Sequence, residues 1–215
     1  MERIFITKYS EIKDLFGIKQ LEGYSQSELA AAGPMPAALH YFYSNYGRSK
    51  ALHELQDELI LPNRYPQDLK EEYLIFFEEN QGVCEAGIKK TDRTVLDPPV
   101  YVRMCDGEWQ LSSPSVSDFL VAMFSYQGSL CLPYSPEEYY YITQEDASYI
   151  QETFDKREEQ TFKWLDVDID IYKTEYQGRI SIMSGWCGMQ MTYAAGTEKE
   201  FRRMRLLLKG IGEAI

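Results

Sequence analysis

Histidine, paired cysteine motifs and positive charge are all scarce in this sequence. The 215 residues include only two histidines, and the four cysteines form no CxxC motif. These shortages disfavour a histidine-based zinc site and a disulfide-stapled fold. Lysine and arginine total 22 against 34 acidic residues, which gives a formal net charge of −12. That charge disfavours nucleic acid and anionic membranes as partners, because their phosphates would be repelled.

Long apolar runs and phosphate-binding glycine loops are missing as well. No apolar segment approaches the length of a membrane span. Residues 1–6 lack the basic region and following apolar run that mark a secretory signal. Neither GxGxxG nor GxxxxGK[ST] occurs. We therefore expect a cytoplasmic protein with reduced thiols, without a cofactor or a bound metal.

Aromatic residues are abundant. Hydrophobic residues make up 44% of the chain and aromatic residues 14%, with 17 tyrosines and ten phenylalanines. This composition argues against disorder and predicts an aromatic core with an aromatic surface patch. A chain of this length buries roughly 70% of its unfolded surface, so it needs no disulfide or metal to fold.

Helix signals recur along the chain. Ser25 with Glu28, Ser115 with Asp118, and Thr197 with Glu200 each predict a helix start stabilised by a capping box or a similar cap. Residues 10–16 read as a short helix that ends at Gly17. A further helix is expected from Pro36 to about Tyr46, with Gly47 as its stop. Residues 145–154 are predicted to form another helix.

Strand signals occupy the rest of the chain. Residues 73–77 read as a central strand, and 82–88 as its neighbour with Val83 and Ile88 directed inward. Residues 100–104 and 108–111 predict a hairpin with Asp106-Gly107 as its turn. Later strands are expected at 167–172, 179–183 and 189–193. This order predicts an α+β fold with helices on an antiparallel sheet, residues 1–130 forming one domain and 131–215 a C-terminal α+β extension packed on it.

Two motifs suggest chemistry that the surrounding residues do not support. Asp166, Asp168 and Asp170 resemble the start of a calcium loop, but Ile171 stands where an EF-hand needs glycine. The alternation with Val167 and Ile169 instead indicates a strand with its carboxylates in water. Likewise, Gly185-Trp186-Cys187-Gly188 has only half of a thioredoxin-type redox motif, because Gln190 replaces the second cysteine. A structural cysteine is the favoured interpretation.

The clearest signature combines several short pieces in a fixed order. They are Met35-Pro36 with Leu39, Phe42, Tyr43, Tyr46 and Gly47; Leu61-Pro62; Phe76-Phe77-Glu78-Glu79-Asn80-Gln81-Gly82; Asp97-Pro98-Pro99-Val100; Trp109; and Ser117-Asp118-Phe119-Leu120. Over residues 20–127 this order resembles the SUKH superfamily, which contains bacterial immunity proteins and the fungal cell-wall synthesis regulators of the Smi/Knr type. Many members carry tryptophan in the strand that follows the glutamine-glycine turn, here Gln81-Gly82, and this chain has Glu85-Ala86-Gly87 there.

The resemblance implies a non-enzymatic α+β domain. Members of the superfamily are thought to bind and neutralise a cognate toxin, often a nuclease or a deaminase. The expected partner is therefore a protein with a basic site, and we expect no catalytic residue; the chain itself would be a monomer or a weak dimer. An alternative is a regulatory scaffold in cell-wall or glucan synthesis, and a less favoured one is a thiol enzyme that uses Cys187.

Acidic and tyrosine residues concentrate after residue 130. Residues 137–170 carry eleven acidic and three basic side chains. We predict that the partner binds there through Glu137, Glu138, Tyr139, Tyr140 and Asp146, because tyrosine and carboxylate suit a basic protein surface. The basic residues of the last helix, such as Arg202 and Arg203, read as a solvated helix face.

Overall fold

A computed structural model describes residues 2–64, 72–105, 107–156, 161–174 and 177–215, and these ranges form seven α-helices and twelve β-strands. The helices are α1 (Glu2–Leu15), α2 (Gln26–Ala31), α3 (Ala37–Tyr46), α4 (Lys50–His53), α5 (Val116–Cys131), α6 (Gln144–Thr153) and α7 (Glu198–Leu207). The strands are β1 (Glu58–Leu59), β2 (Tyr73–Glu78), β3 (Cys84–Lys89), β4 (Val100–Met104), β5 (Gln110–Ser113), β6 (Tyr140–Ile142), β7 (Asp155–Lys156), β8 (Phe162–Trp164), β9 (Val167–Lys173), β10 (Gly178–Gly185), β11 (Gly188–Ala195) and β12 (Glu213–Ala214).

The strands form two antiparallel sheets. The first sheet has the order β1-β2-β3-β4-β5. The second has the order β12-β6-β11-β10-β9-β7, and β8 pairs with β9 beside that path. Helices pack on both sheets, so the α+β fold predicted from the sequence is confirmed. A hairpin of β4 and β5 also forms, but its second strand is Gln110–Ser113 and not the predicted 108–111, and Asp106 of its expected turn lies outside the described residues.

The capping residues predicted from the sequence precede their helices in the structure. Ser25, Ser115 and Thr197 each accept a hydrogen bond from the backbone N–H three residues later. Pro36 is the residue before α3, one position earlier than expected, and Gly47 ends that helix. The first helix is longer than predicted and begins at Glu2. Its apolar side chains recur at helical spacing from the start of the chain, and Phe5, Tyr9 and Ile12 are all buried.

Helix α5 is the centre of the molecule. Thirteen of its sixteen residues are buried, which is typical of a helix surrounded by protein on every side. Phe119 packs edge-on against Phe76 and Phe77 of the first sheet. Further along, Phe124 stacks on Phe42 of α3, with ring centroids 5.4 Å apart.

The second sheet meets α5 through small polar side chains. The hydroxyls of Ser129 and Ser181 lie 2.6 Å apart, and Thr192 Oγ1 donates to the Ser129 carbonyl at 3.2 Å. Arg179 donates to Ser125 Oγ and forms an ion pair with Glu11 of α1 at 3.0 Å. These buried bonds fix how the sheet lies across the helix, because the bonds between the two would break if the sheet slipped.

The opposite face of the second sheet is covered by α6 and α7. A separate cluster of buried side chains forms there, including Ile150, Ile180, Ile182, Met191 and Met204. Conversely, Phe162, Trp164, Ile169 and Ile171 belong to the same cluster as α3, α5 and the first sheet. The largest core therefore combines residues that precede and follow α5. One consequence is that the second sheet lies between two packed layers.

Candidate protein interface

The Asp97 and Ser117 motif residues hold the start of α5. Asp97 accepts a hydrogen bond from the backbone N–H of Ser117 at 2.9 Å and another from its hydroxyl. Next to them, Lys8 of α1 forms a 2.5 Å ion pair with Asp118. This network satisfies the free N–H groups of a buried helix end. These residues therefore build the fold and are engaged with one another.

The Glu79–Gly82 loop is also organised from within. Glu79 is buried, and its carboxylate accepts hydrogen bonds from the backbone N–H groups of Gln81 at 2.8 Å and Val83 at 3.3 Å. Gly82 has a φ of 71°, which glycine adopts readily. The neighbouring Glu78 is exposed, so the two adjacent carboxylates do not form a catalytic pair. Val83 was expected to point inward but is 36% exposed on this loop.

Trp109 and the backbone of the neighbouring strand β2 both lie close to Gly87 of β3. A Cβ on Gly87 would lie 3.3 Å from Cη2 of Trp109. The indole stacks on Tyr73 with centroids 4.1 Å apart, and the Arg103 guanidinium lies 4.8 Å from its centre. An aromatic ring from a different part of the chain thus fills the space above the strand.

A buried carboxyl, which sequence reasoning missed, joins three parts of the fold. Asp57 is 2% exposed, and its Oδ2 accepts hydrogen bonds from Gln127 Nε2 at 2.8 Å and Trp164 Nε1 at 3.0 Å. Burial raises the pKa of Asp57 to about 6, and the nearby Glu79 charge contributes to that rise. A perturbed carboxyl often marks an active site. This one is closed to solvent, so we assign it a structural role.

The cysteines and histidines considered as candidates for thiol chemistry differ in burial and in hydrogen-bond partners. Cys84 is buried, and burial raises the pKa of its thiol to about 11, which disfavours the reactive thiolate. His53 is hydrogen bonded to the Gly47 carbonyl at 2.8 Å, whereas Cys187 lies at the turn between β10 and β11. Within the same part of the chain, no three His, Cys, Asp or Glu side chains group closely enough to hold a metal ion.

A groove of about 760 Å³ lies between α1, α3 and residues 94–96. Its lining includes Ile6, Met35, His40, Tyr41 and Leu96 and carries no acidic or lysine or arginine side chain. The groove is open and offers mixed apolar and amide surface. It contains none of the residues predicted to bind a partner.

The structure distributes the five predicted partner-binding residues over a connector, a strand and a helix start. Glu137, Glu138 and Tyr139 are exposed in the segment before β6. Tyr140 lies in β6 with its ring 5.9 Å from that of Tyr193. Asp146 completes the capping box of α6, where it accepts hydrogen bonds from the backbone and the hydroxyl of Thr143. Of the acidic segment 137–170, residues 157–160 lie outside the described ranges.

An exposed surface of acids and tyrosines follows one margin of the second sheet. Because side chains alternate along a strand, Tyr141 points to one side of β6 and Tyr140 to the other. Tyr139 is 39% exposed and Tyr141 is 44% exposed. On the adjoining strand, Glu213 pairs with Tyr141. We call Glu137, Glu138, Tyr139, Tyr141 and Glu213 the acidic edge.

The turn between β10 and β11 lies next to the end of β6, the strand that carries Tyr141 of the acidic edge. Ile142, the last residue of β6, pairs with Met189 of β11, three positions after Trp186. Trp186 is 91% exposed, more than any other large hydrophobic residue described. The sequence pattern of this segment indicates only half of a redox motif. The available signal was a tryptophan at a turn position that polar residues and glycine usually occupy.

The basic side chains of α7 lie mainly in solvent. Arg202 forms an ion pair with Glu198 at 2.6 Å, and Arg203 lies 3.9 Å from Glu200. Among them, Leu206 is 76% exposed. These pairs at helical spacing agree with a solvated helix face.

No family model, curated protein or solved structure matches the chain. The likeness to the SUKH superfamily therefore remains an expectation from the sequence. In the described part of the chain, every helix is too short or too polar to cross a membrane.

Proposed function

We propose that this chain is a non-enzymatic binding module that neutralises a basic protein, in the manner of a bacterial immunity protein. The observation that carries the proposal is the acidic edge. There, two exposed tyrosines stand beside Glu137, Glu138 and Glu213 on a sheet margin held by its neighbouring strands. Tyrosine offers a large contact area and a hydrogen-bonding hydroxyl at low conformational cost.

Charge supports a basic partner. The chain carries a net charge of −12, so its field attracts positively charged proteins and accelerates their association. Enzymes that act on nucleic acids need basic surfaces to hold phosphates. An acidic module can occupy such a surface and exclude the substrate. A toxin with nuclease-like or deaminase-like activity is therefore the partner class that we propose, on the strength of the sequence resemblance and this charge.

Charge reversal on the acidic edge tests the function. The partner to use is the product of the gene adjoining that of this chain, prepared in a catalytically inactive form. We expect the double substitution Glu137→Lys with Glu138→Lys to slow association by about tenfold or more at low salt and by less at high salt. Suppression of the active partner's toxicity in cells by the wild-type chain is the second readout.

A matched control separates a local effect from net charge. Glu22→Lys with Glu108→Lys makes the same change in net charge at two exposed sites elsewhere. Equal slowing by both double variants would remove the acidic edge from the interface. If the partner proves to be a host enzyme of envelope synthesis and causes no toxicity, the regulatory alternative replaces immunity.

A further inference from the structure

Trp186 occupies a turn that does not require it for folding. Strands β10 and β11 pair residue by residue from Gly178 with Ala195 to Gly185 with Gly188. Gly188 has a φ of 99° and provides the left-handed residue that closes the hairpin. The ring of Trp186 is 91% exposed and contributes little to the core. Exposing an indole is unfavourable in water, so its presence at this position points to burial against a partner.

The hairpin holds Trp186 in a fixed place. A Cβ on Gly185 would lie 2.6 Å from Cγ1 of Val167, so the β10–β11 turn lies directly against the start of β9. There the β8–β9 turn is tight, with Leu165 and Asp166 both in the left-handed region at φ of 52° and 58°. Leu165 packs on the main core and its backbone contacts the buried Cys84 thiol. Two adjoining turns are thereby anchored, which lowers the entropy cost of binding through their tips.

Acidic residues lie on the elements next to this turn. Asp166 is exposed on the adjoining turn, and Asp168 is exposed with an ion pair to Lys163 at 3.0 Å. On the other side, Glu145 lies in the first turn of α6, which follows β6 by one capping residue. The tip therefore combines one large apolar ring with a rim of negative charge. Its complement is an apolar pocket bordered by arginine or lysine.

We propose that Trp186 is the anchor residue of the interface and inserts into an apolar pocket of the basic partner, while the acidic edge and Asp166 contact its charged border. The inference rests on the proposed function, because the partner is the same. A second copy of this chain is a poor occupant, since it would bring two acidic tips together. Tryptophan is well represented among the residues that dominate binding free energy at interfaces.

The test uses a photo-crosslinking amino acid in place of Trp186 in cells that express the chain together with the adjoining gene. We expect a crosslink to one basic protein. With that protein purified, Trp186→Ala should weaken binding by at least about tenfold, and Trp186→Phe by less. Ile4→Ala is the control: Ile4 is 57% exposed on α1, whose C-terminal Asp14 contacts Gln177 beyond the opposite end of β10.

Each outcome bears on one proposal separately. Binding by Trp186→Ala as tight as wild type, or a crosslink to a second copy of the chain, would overturn the anchor. A tenfold loss with a partner that is not toxic keeps the anchor and rejects immunity. Neutralisation that survives Trp186→Ala with unchanged affinity keeps immunity and rejects the anchor.

Discussion

The indole N–H of Trp164 donates a hydrogen bond to the carboxylate of Asp57 across 3.0 Å, in the interior of the molecule. These residues are 107 positions apart, so the bond connects β8 to the residue that directly precedes β1 of the first sheet. Gln127 of the central helix binds the same oxygen, Oδ2, and its own Oε1 accepts the backbone N–H groups of Gln56 and Asp57. The cluster is therefore a junction of β8, α5 and the segment before β1.

The junction makes stability depend on pH. Burial raises the pKa of Asp57 from its ordinary value of 3.8 to about 6. The folded protein then holds this proton more tightly than the unfolded chain does, so the stabilisation is complete below pH 3.8 and is lost as pH rises through 6. We expect Asp57→Asn to remove this change in stability between pH 3.8 and 6, which a series of urea unfolding midpoints at different pH values would measure. Asp168→Asn, at an exposed carboxyl, is the control. If it altered the pH dependence of the urea midpoint as much as Asp57→Asn does, Asp57 would not be the group responsible.

Removing the Trp164 donor should shift that titration. Trp164→Phe keeps an aromatic ring against Phe77 and Phe119 but loses the N–H, which lowers the pKa of Asp57 in the wild type. The pH midpoint of the stability change should therefore move upward. We also expect a loss of about 1–3 kcal/mol in the free energy of unfolding at neutral pH, because a buried carboxylate loses a partner. Combining Trp164→Phe with Asp57→Asn should cost less than the sum of the two.

Gly185 should tolerate alanine only if Val167 becomes smaller. The added Cβ would approach Val167 Cγ1 to 2.6 Å, and overpacking of this kind costs about 1–3 kcal/mol. Val167→Ala in the same chain should recover part of that loss, as measured by denaturant unfolding. Gly188→Ala is the contrasting variant, because its strain comes from a φ of 99° that Val167→Ala cannot relieve.

The four thiols should differ in reactivity. Cys84 is buried with its pKa raised to about 11, whereas Cys105, Cys131 and Cys187 are exposed. Iodoacetamide at neutral pH should therefore modify Cys84 only after denaturation, as read by peptide mass spectrometry. Rapid native labelling of Cys84 would show that the core opens. Turnover that disappears with Cys187→Ser would instead support the thiol-enzyme alternative.

The features that the sequence predicts correctly have local determinants. A serine three residues before an acid predicts a cap, and Ser25 and Ser115 form one each. Alternation in the segment after Asp166 predicted a strand, and Ile169 and Ile171 are indeed buried while Asp168 is exposed. The α+β class follows from such elements.

Long-range relationships could not be predicted in the same way. The burial of Asp57 depends on Gln127 and Trp164, and no local pattern links these three positions. The sequence pattern predicts that Val83 points inward, but the Glu79 carboxylate accepts its backbone N–H and holds it in a loop before β3 begins. Trp186 resembles part of a redox motif in the sequence. The short pattern does not reveal that β10 and β11 pair with each other and leave Trp186 in the turn between them.

Strand β12 also limits how a partner can bind the acidic edge. Tyr140 and Tyr141 pair with β11 on one side and with β12 on the other, so their main chain is already engaged. A partner protein therefore cannot extend the sheet through β6 and would contact that strand through its side chains. Substitutions of these side chains would change the surface that a partner contacts, while the paired main chain of β6 keeps the framework of the sheet unchanged.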